Sequence, residues 1–264
     1  MSCKQYTSNL TEYEYQILLP FLPVIKTSPM KYSYLDILNG IFYVDKNGCT
    51  WRDIPGDLPP WKTCYYHFRK ITKLGIWEKI KLELNKRVRT LLEEKEQLPS
   101  CILIDSQSVK NTDTGCESGI DGNKKVKGIK KHLICDTLGL NWDRAITSAN
   151  IGDREGALVL AQSSKEKGIL KNCLTAKVDE GYTGEDFAIQ FYEKSNNQVI
   201  IEVVEKLEGQ KGFQVLPMRW VIERSNSWMD KCRRMWKNCE RLVESVEAMI
   251  DICFLRINLR RLRG

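Results

Sequence analysis

The sequence predicts an α/β protein in which a helical N-terminal segment precedes a mixed sheet covered by helices. Two observations support this prediction. Helical periodicity fills most of the first 98 residues, whereas short apolar runs that alternate with helical patterns follow residue 100. Leu98-Pro99-Ser100 separates the parts of the sequence that show these two patterns. We therefore predict two domains, residues 1–98 and residues 99–264.

Five helical stretches are expected before this boundary. They cover residues 10–25 (interrupted by Pro20 and Pro23), 33–46, 51–54, 61–74 and 76–95. A Pro- and Gly-rich turn follows the third stretch, and the order is typical of a helix-turn-helix module. An all-α bundle with a basic surface fits the pattern equally well. Three cations recur at helical spacing along 61–74 and are predicted to contact DNA: Arg69, Lys70 and Lys73.

After residue 100 the predicted order is three strands followed by alternating helices and strands. The strands are 101–105, 132–136, 142–148, 174–179 and 198–204, and the helices are 153–166, 184–194 and those from Pro217 onward. The Lys- and Gly-rich segment 115–131 is interpreted as an extended loop or a hairpin. This order is that of a ribonuclease-H-like fold.

The composition describes an ordinary globular protein with clustered positive charge. Apolar residues make up 42% of the 264 residues, and the formal net charge is +7. Residues 60–95 hold ten Lys and Arg against four Glu, residues 120–131 hold five Lys against one Asp, and residues 256–264 hold four Arg. Such clusters suit nucleic acid, although any one of them is also consistent with solvated surface.

The cysteine pattern and the hydropathy argue against a zinc-binding, a secreted or a membrane protein. Ten cysteines form no CxxC pair, and several lie in apolar runs, so we expect reduced, packed thiols and no zinc site. No signal peptide and no apolar run of about 18 residues is visible. A cytoplasmic protein without membrane contact is predicted.

Three acids are candidates for one metal site. Asp105 and Asp179 each stop a predicted strand, and Glu223 borders the apolar face of the helix that starts at Pro217. If the two strands are neighbours, their carboxylates meet at one edge of the sheet. Carboxylate oxygens suit Mg²⁺ or Mn²⁺, and two such ions can serve phosphodiester chemistry without a histidine base.

Each acid also has a simpler interpretation. Asp105 could be a turn residue, as Asp136 in Asp-Thr-Leu-Gly is expected to be, and Asp153 suits a helix cap. Glu223 could pair with Arg219, one helical turn earlier. Spacing alone does not choose between these roles.

Several longer motifs extend the argument. They are IDSQSVK, KKVKGIKKHLICDTLGL, GDREGA, DEGYTG and GFQVLPMRWVIERSNSWMDKCRR, with FYVDKNGCTWRDIPGDLPPWKTCYYHFR near the N-terminus. Together, over nearly the whole chain, they resemble the DDE transposases of bacterial insertion sequences, in the group called IS five.

The resemblance implies a site and a set of DNA contacts. Asp105, Asp179 and Glu223 are the implied metal-binding and catalytic triad, with two Mg²⁺ or Mn²⁺ ions. Of the related Tyr-x2-Arg-x3-Glu-x6-Lys signature, Arg219 is present, whereas Leu216 and Asp230 replace the Tyr and the Lys. Arg234 could take the Lys role. We expect Arg219, Arg234 and a group of lysines to hold the DNA backbone near the metals; the lysines are Lys124, Lys125, Lys127, Lys130 and Lys131.

The resemblance also implies what the protein does. Such enzymes bind the terminal inverted repeats of their element, usually as a homodimer on DNA, cleave there, and join the freed ends to target DNA. Two alternatives remain: a stand-alone nuclease of the same fold, and a decayed or domesticated transposase that only binds DNA. We expect the bacterial protein to act at the nucleoid.

Overall fold

The helices and strands follow the predicted order along the chain. The computed structural model describes residues 5–24, 31–93, 96–113, 115–204 and 217–263, with the side chains of 92–93 and 217–219 outside this description. The helices of the described part are α1 Glu12–Leu18, α2 Tyr34–Asn47, α3 Trp61–Lys73, α4 Ile76–Glu93, α5 Asp153–Glu166, α6 Glu185–Lys194, α7 Pro217–Asp230 and α8 Val243–Arg261. The strands are β1 Cys101–Lys110, β2 Gly119–Asp121, β3 Val126–Asp136, β4 Asn141–Ser148, β5 Thr175–Val178 and β6 Ile200–Val203.

Local signals explain the agreement at the helix ends. Helix α1 begins with a capping box in which the Thr11 hydroxyl accepts from the Glu14 N–H, and the Glu14 carboxylate accepts from the Thr11 N–H. Helix α2 begins at the Ser33 cap and ends at Gly48, which has a φ of 72°. Glycine adopts this left-handed conformation without the steric cost that a Cβ brings.

The six strands form one mixed sheet. Strand β3 pairs antiparallel with β1 on one side and with β2 and β4 on the other. On the far side of β1, strands β5 and β6 run parallel to it. Strand β1 therefore lies where the antiparallel and parallel halves of the sheet meet.

The predicted end of β1 at Asp105 is wrong. The strand continues to Lys110 because β3 pairs with it along this whole length, from Ile102 opposite Asp136 to Lys110 opposite Gly128. Asp105 thus lies in the middle of a strand, which rules out the turn interpretation. Asp136 does have the turn role: its carboxylate accepts from the N–H groups of Leu138 and Leu140.

The hairpin interpretation of the Lys-rich segment is confirmed for its second half. Strand β2 pairs with the start of β3, and Asp121 holds the turn by accepting from the N–H groups of Asn123 and Lys124. Its other oxygen accepts from the Ser108 hydroxyl at 2.6 Å. This hydroxyl is the main cause that lowers the pKa of Asp121 to about 2.

The hydrophobic core extends over both faces of the sheet. One cluster contains Ile102 and Ile134 together with residues of α5 and α6. The other contains Val109 and Leu133 together with residues of α2, α3, α4 and α8. The second cluster therefore crosses residue 98, and the C-terminal helix packs among the N-terminal helices.

A buried ionic network ties the same elements together. Asp251 of α8 is almost completely buried and lies 2.9 Å from Lys81 of α4 and 2.8 Å from Arg144 of β4. Lys81 also donates to the Asn141 side chain at 2.9 Å. Removing one partner of such a network leaves the others charged in a dry interior.

We expect Asp251→Ala to destabilise the whole chain by about 3–5 kcal/mol, since Lys81 and Arg144 lose a buried counter-charge. Urea unfolding followed by circular dichroism and by tryptophan fluorescence should show one transition shifted to lower urea. As a control, Glu83→Ala removes an exposed ion pair with Arg87 and should change stability by less than about 0.5 kcal/mol. A loss below about 1 kcal/mol in Asp251→Ala, which is the size of an exposed ion pair, would contradict this role.

The state of the cysteines and the hydropathy of the helices bear on two further expectations from the sequence. The nine cysteines of the described residues are free thiols, as predicted, and Cys3 lies outside the described residues. Among the helices that the structure describes, none has the length and hydropathy needed to cross a bilayer.

Candidate active site

Asp105 is held by two hydrogen bonds in the middle of β1. One carboxylate oxygen accepts from the Ser106 N–H at 2.7 Å, and the other accepts from the Asn226 side-chain amide at 2.8 Å. The side chain is only partly exposed. Strand and helix α7 together therefore fix the orientation of this carboxylate.

Asp179 lies opposite Asp105 where the parallel pairing stops. The last paired residues of β1 and β5 are Leu103 and Lys177, so continuing the register by two residues sets Asp105 beside Asp179. Neighbouring strands are about 4.8 Å apart. Asp179 is exposed and accepts from the Gly181 N–H at 2.9 Å, which caps the short helix at Glu180–Tyr182.

Glu223 reaches the same place from α7. Val221 and Ile222 of this helix form a small buried cluster with Leu103 of β1, which anchors α7 beside the strand. Glu223 follows them directly and is exposed. The apolar pair before the acid thus positions it, as the sequence pattern indicated.

The three acids line one cleft. Its walls include Asp105, Asp179 and Glu223, with Lys177 as the cation and five aliphatic side chains: Leu103, Ile104, Val178, Val204 and Ile222. The structure therefore brings the three predicted acids together from two strands and a helix. Their role as ligands stays a prediction.

The cleft disfavours a charged Asp105. Burial raises the pKa of its carboxyl to about 6, and the charge of Asp179 acts in the same direction. The Ser106 N–H, Lys124 and Asn226 lower the pKa and offset part of this effect. An acid with a raised pKa beside a second carboxylate is a common feature of functional sites.

The donor atoms suit a hard divalent cation, which takes carboxylate oxygens and keeps several waters. Within the described ranges, however, no group of three or more His, Cys, Asp or Glu is close enough to share one ion. The three carboxylates are of the chemical type that Mg²⁺ or Mn²⁺ prefers. They line the same cleft, but they are not close enough together to hold one ion among them.

Three of the five predicted lysines of the hairpin are exposed: Lys124, Lys125 and Lys127. Lys124 donates to the Ser106 carbonyl oxygen at 3.3 Å, one residue from Asp105. The ammonium group of Lys124 is therefore close to the acids.

The structure disagrees with the predicted DNA contacts of Lys130 and Lys131, because both side chains are buried. Lys130 is buried and pairs with Asp153 at 2.8 Å, and Lys131 is buried and donates to the Met235 carbonyl oxygen at 2.8 Å. Both lie in the part of β3 that is covered on its two faces. Burial lowers the pKa of Lys131 to about 8.

Helix α3 presents its cations unevenly. Arg69 forms an ion pair with Glu244 at the start of α8 and donates to the Ser245 hydroxyl at 2.7 Å, so the structure gives it a packing role. Lys70 is partly exposed and Lys73 is exposed. Of the three cations, Lys73 is thus the most accessible.

The predicted replacement of the signature Lys by Arg234 is wrong. Helix α7 ends at Asp230, so Arg234 is not on its face but in a short helix at Arg233–Met235. Arg234 is buried, where it donates to Glu240 at 2.7 Å and to the Cys49 carbonyl oxygen at 3.1 Å. The side chain of Arg219 lies outside the described residues.

Sequence reasoning missed two residues that support Asp105. Asn226 is three residues after Glu223, a spacing that places both on neighbouring positions of one helix face. The Ser106 hydroxyl donates to Asp153 at 2.8 Å, which links β1 to the start of α5. The helical spacing could have indicated Asn226, whereas nothing local indicated the second contact.

The sheet order and the acid-lined cleft define the class of protein: its core is that of the ribonuclease-H-like nucleases and transposases, as predicted. Two family models match the chain. A model described as a transposase of the IS4/5 family matches residues 10–81, and a transposase DDE domain matches residues 96–259. The chain belongs to the DDE transposases. No curated protein matches it.

Proposed function

We propose that this transposase binds the terminal inverted repeats of an insertion sequence, cleaves DNA there and transfers the freed ends to target DNA. The observation that carries the proposal is the lining of one cleft by Asp105, Asp179 and Glu223. The two family matches support it, since a transposase acts on DNA.

The two reactions are balanced exchanges at phosphorus. In the first, water adds its oxygen to the phosphorus, the P–O3′ bond breaks, and a 3′-hydroxyl is released. In the second, that 3′-oxygen attacks a target phosphorus and displaces a 3′-oxygen of the target strand. One bond forms and one breaks in each step, so no energy-rich cofactor is required.

In this proposal the three acids hold two Mg²⁺ or Mn²⁺ ions. Bound there, the ions would supply the acidified water and the neutralisation of charge on the scissile phosphate. Asp105 is oriented for this by Ser106 and Asn226, and Asp179 by the turn that its own side chain caps. Lys124 lies near enough to Ser106 to contact a phosphate beside the acids.

The remaining predicted contacts belong to DNA outside the cleft. Lys125 and Lys127 extend the hairpin surface, and Lys70 and Lys73 offer a second surface on α3. The helical segment 1–98 as DNA-binding domain, the homodimer on DNA and the cytoplasmic, nucleoid-associated location are parts of the same proposal.

The test is incubation of the protein with duplexes from the genomic DNA that flanks its gene, in Mg²⁺ or Mn²⁺, with nicks mapped at single-nucleotide resolution. We expect nicks at the ends of an inverted repeat and, with a target plasmid present, joined products. Cleavage without joining would favour the stand-alone nuclease. Binding without cleavage in either metal would favour the DNA-binding alternative.

A further inference from the structure

A second concave surface, outside the cleft, brings together cations from α2, from α8 and from the residue that follows α7. We call it the C-terminal groove; its lining includes Lys46, Trp228, Lys231, Arg256, Arg260 and Arg261. No Asp or Glu lines the groove within the described residues. The Arg-rich end of the sequence thus forms one wall of the groove. None of the candidate site residues described above lies in this part of the sequence.

Among the described residues, four of these cations form no close ion pair: Lys46, Lys231, Arg260 and Arg261. Arg256 pairs with buried Asp45 at 3.0 Å, Asp45 also attracts Lys46, and Asp136 attracts Arg261. Lys46 donates to the Lys231 carbonyl oxygen at 2.8 Å, and Arg260 donates to the Thr7 carbonyl oxygen at 3.2 Å. These acceptors are neutral, so they satisfy hydrogen bonds without cancelling charge.

Arg261 lies beside a second cation, Arg224. Its guanidinium stacks on Trp228 at 4.4 Å, and Arg224 stacks on the same ring at 4.7 Å. Both guanidinium groups donate to one oxygen, the carbonyl of Leu138. Burial and the charge of Arg224 lower the pKa of Arg261. One of its terminal nitrogens is buried and has no hydrogen-bond partner among the described residues.

The groove is also close to the cleft along α7. Glu223 and Trp228 are on this helix, and five residues correspond to a rise of about 7.5 Å. A DNA strand advances about 3.4 Å per phosphate along the helix axis. Five residues also correspond to a rotation of about 140°, so the groove and the acids lie on different sides of α7, about two to four phosphates apart along its axis.

We propose that the C-terminal groove binds the sugar-phosphate backbone of the DNA on which the cleft acts. The inference rests on the proposed function and adds a binding surface to it. A duplex supplies closely spaced phosphates, which match four cations spread over α2, α8 and the residue after α7 better than one small anion does. Contacts of this kind are independent of base sequence and position the duplex.

The test uses the double variant Lys231→Gln/Arg260→Gln, whose two substituted side chains are exposed. Its binding to a fluorescein-labelled duplex of mixed sequence is measured by anisotropy across a salt series, without divalent metal. Each lost phosphate contact lowers the slope of log K against log salt by about 0.9, so we expect a fall of about 1.8. The single variant Lys46→Gln should lower it by about 0.9 and covers a folding defect in the double variant.

The matched control is Lys165→Gln/Lys171→Gln, which removes the same charge from exposed positions outside the groove. We expect its slope to equal that of the wild type. An unchanged slope in the groove variants, or an equal fall in the control, overturns the inference. Inorganic phosphate that raises the melting temperature of the wild type but not of the variant, with the DNA slope unchanged, would identify a small-anion site and also overturn it.

The outcome is separable from that of the proposed function. A wild type that cuts flanking DNA while the groove variants keep its salt slope leaves the transposase function intact and removes the groove. A groove-dependent slope with no cleavage in Mg²⁺ or Mn²⁺ leaves the groove and removes the catalytic proposal.

Discussion

Asp179→Asn should reduce DNA cleavage by at least about a hundredfold while leaving DNA binding and folding nearly unchanged. Mutation of groups that merely orient a metal ligand already costs about 10- to 100-fold in activity or metal affinity, so loss of a ligand itself should cost more. Asp179 is exposed, and the amide oxygen of the new side chain can still accept from the Gly181 N–H. The fold should therefore be retained.

Single-turnover cleavage of an end duplex measures this effect, and anisotropy measures binding. Affinity should be kept because it depends mainly on cations that contact phosphate. Asp186→Asn is the control, since it removes the same charge from an exposed position on α6. We expect a loss of about a hundredfold. A loss of less than about tenfold would show that Asp179 is not part of the site.

Asp105→Asn should raise the melting temperature of the metal-free protein at neutral pH. The pKa of Asp105 is raised to about 6 from its ordinary value of 3.8, so the folded state binds this proton more tightly than the unfolded state does. The free-energy cost of ionising Asp105 in the folded state is absent below about pH 4, grows as pH rises, and reaches its full size above about pH 6. It amounts to at most about 3 kcal/mol, or several degrees in a chain of this length.

The pH dependence is what identifies the cause. The difference in melting temperature between Asp105→Asn and the wild type, measured in EDTA, should be near zero at about pH 4 and should widen toward pH 7. The Asn226 amide can turn to keep its hydrogen bond, because its oxygen has no hydrogen-bond partner among the described residues. A difference that stays constant with pH would contradict the raised pKa.

The same variant tests the metal. An ion that binds only the folded state stabilises it by RT ln(1 + [L]/Kd), about 2.7 kcal/mol at a hundredfold excess over Kd. Mg²⁺ or Mn²⁺ should therefore raise the melting temperature of the wild type and of Asp186→Asn. Most of that gain should be lost in Asp105→Asn. An equal gain in all three proteins would show that the ions bind elsewhere.

The sequence alone determined the local architecture. Helix 153–166 was predicted with the limits that α5 has, and α3 and α6 differ from prediction by one residue at one end. These limits depend on the Pro or Gly that precedes each helix and on the hydrophobic periodicity, which act within a few residues of each boundary. The chemical type of each acid and its place directly after an apolar run were readable for the same reason.

The tertiary structure decided what depends on distant partners. Strand β1 continues past Asp105 only because β3 pairs with it, and this pairing and the packing of its neighbours bury Lys130 and Lys131. Glu244 comes to Arg69 only when α8 packs beside α3. Asp105 and Glu223 line the same cleft because Leu103 and Ile222, more than a hundred residues apart in the sequence, pack together. Burial and long-range contact depend on the whole fold, so no local pattern could have assigned these side chains to the core, to an ion pair or to the cleft.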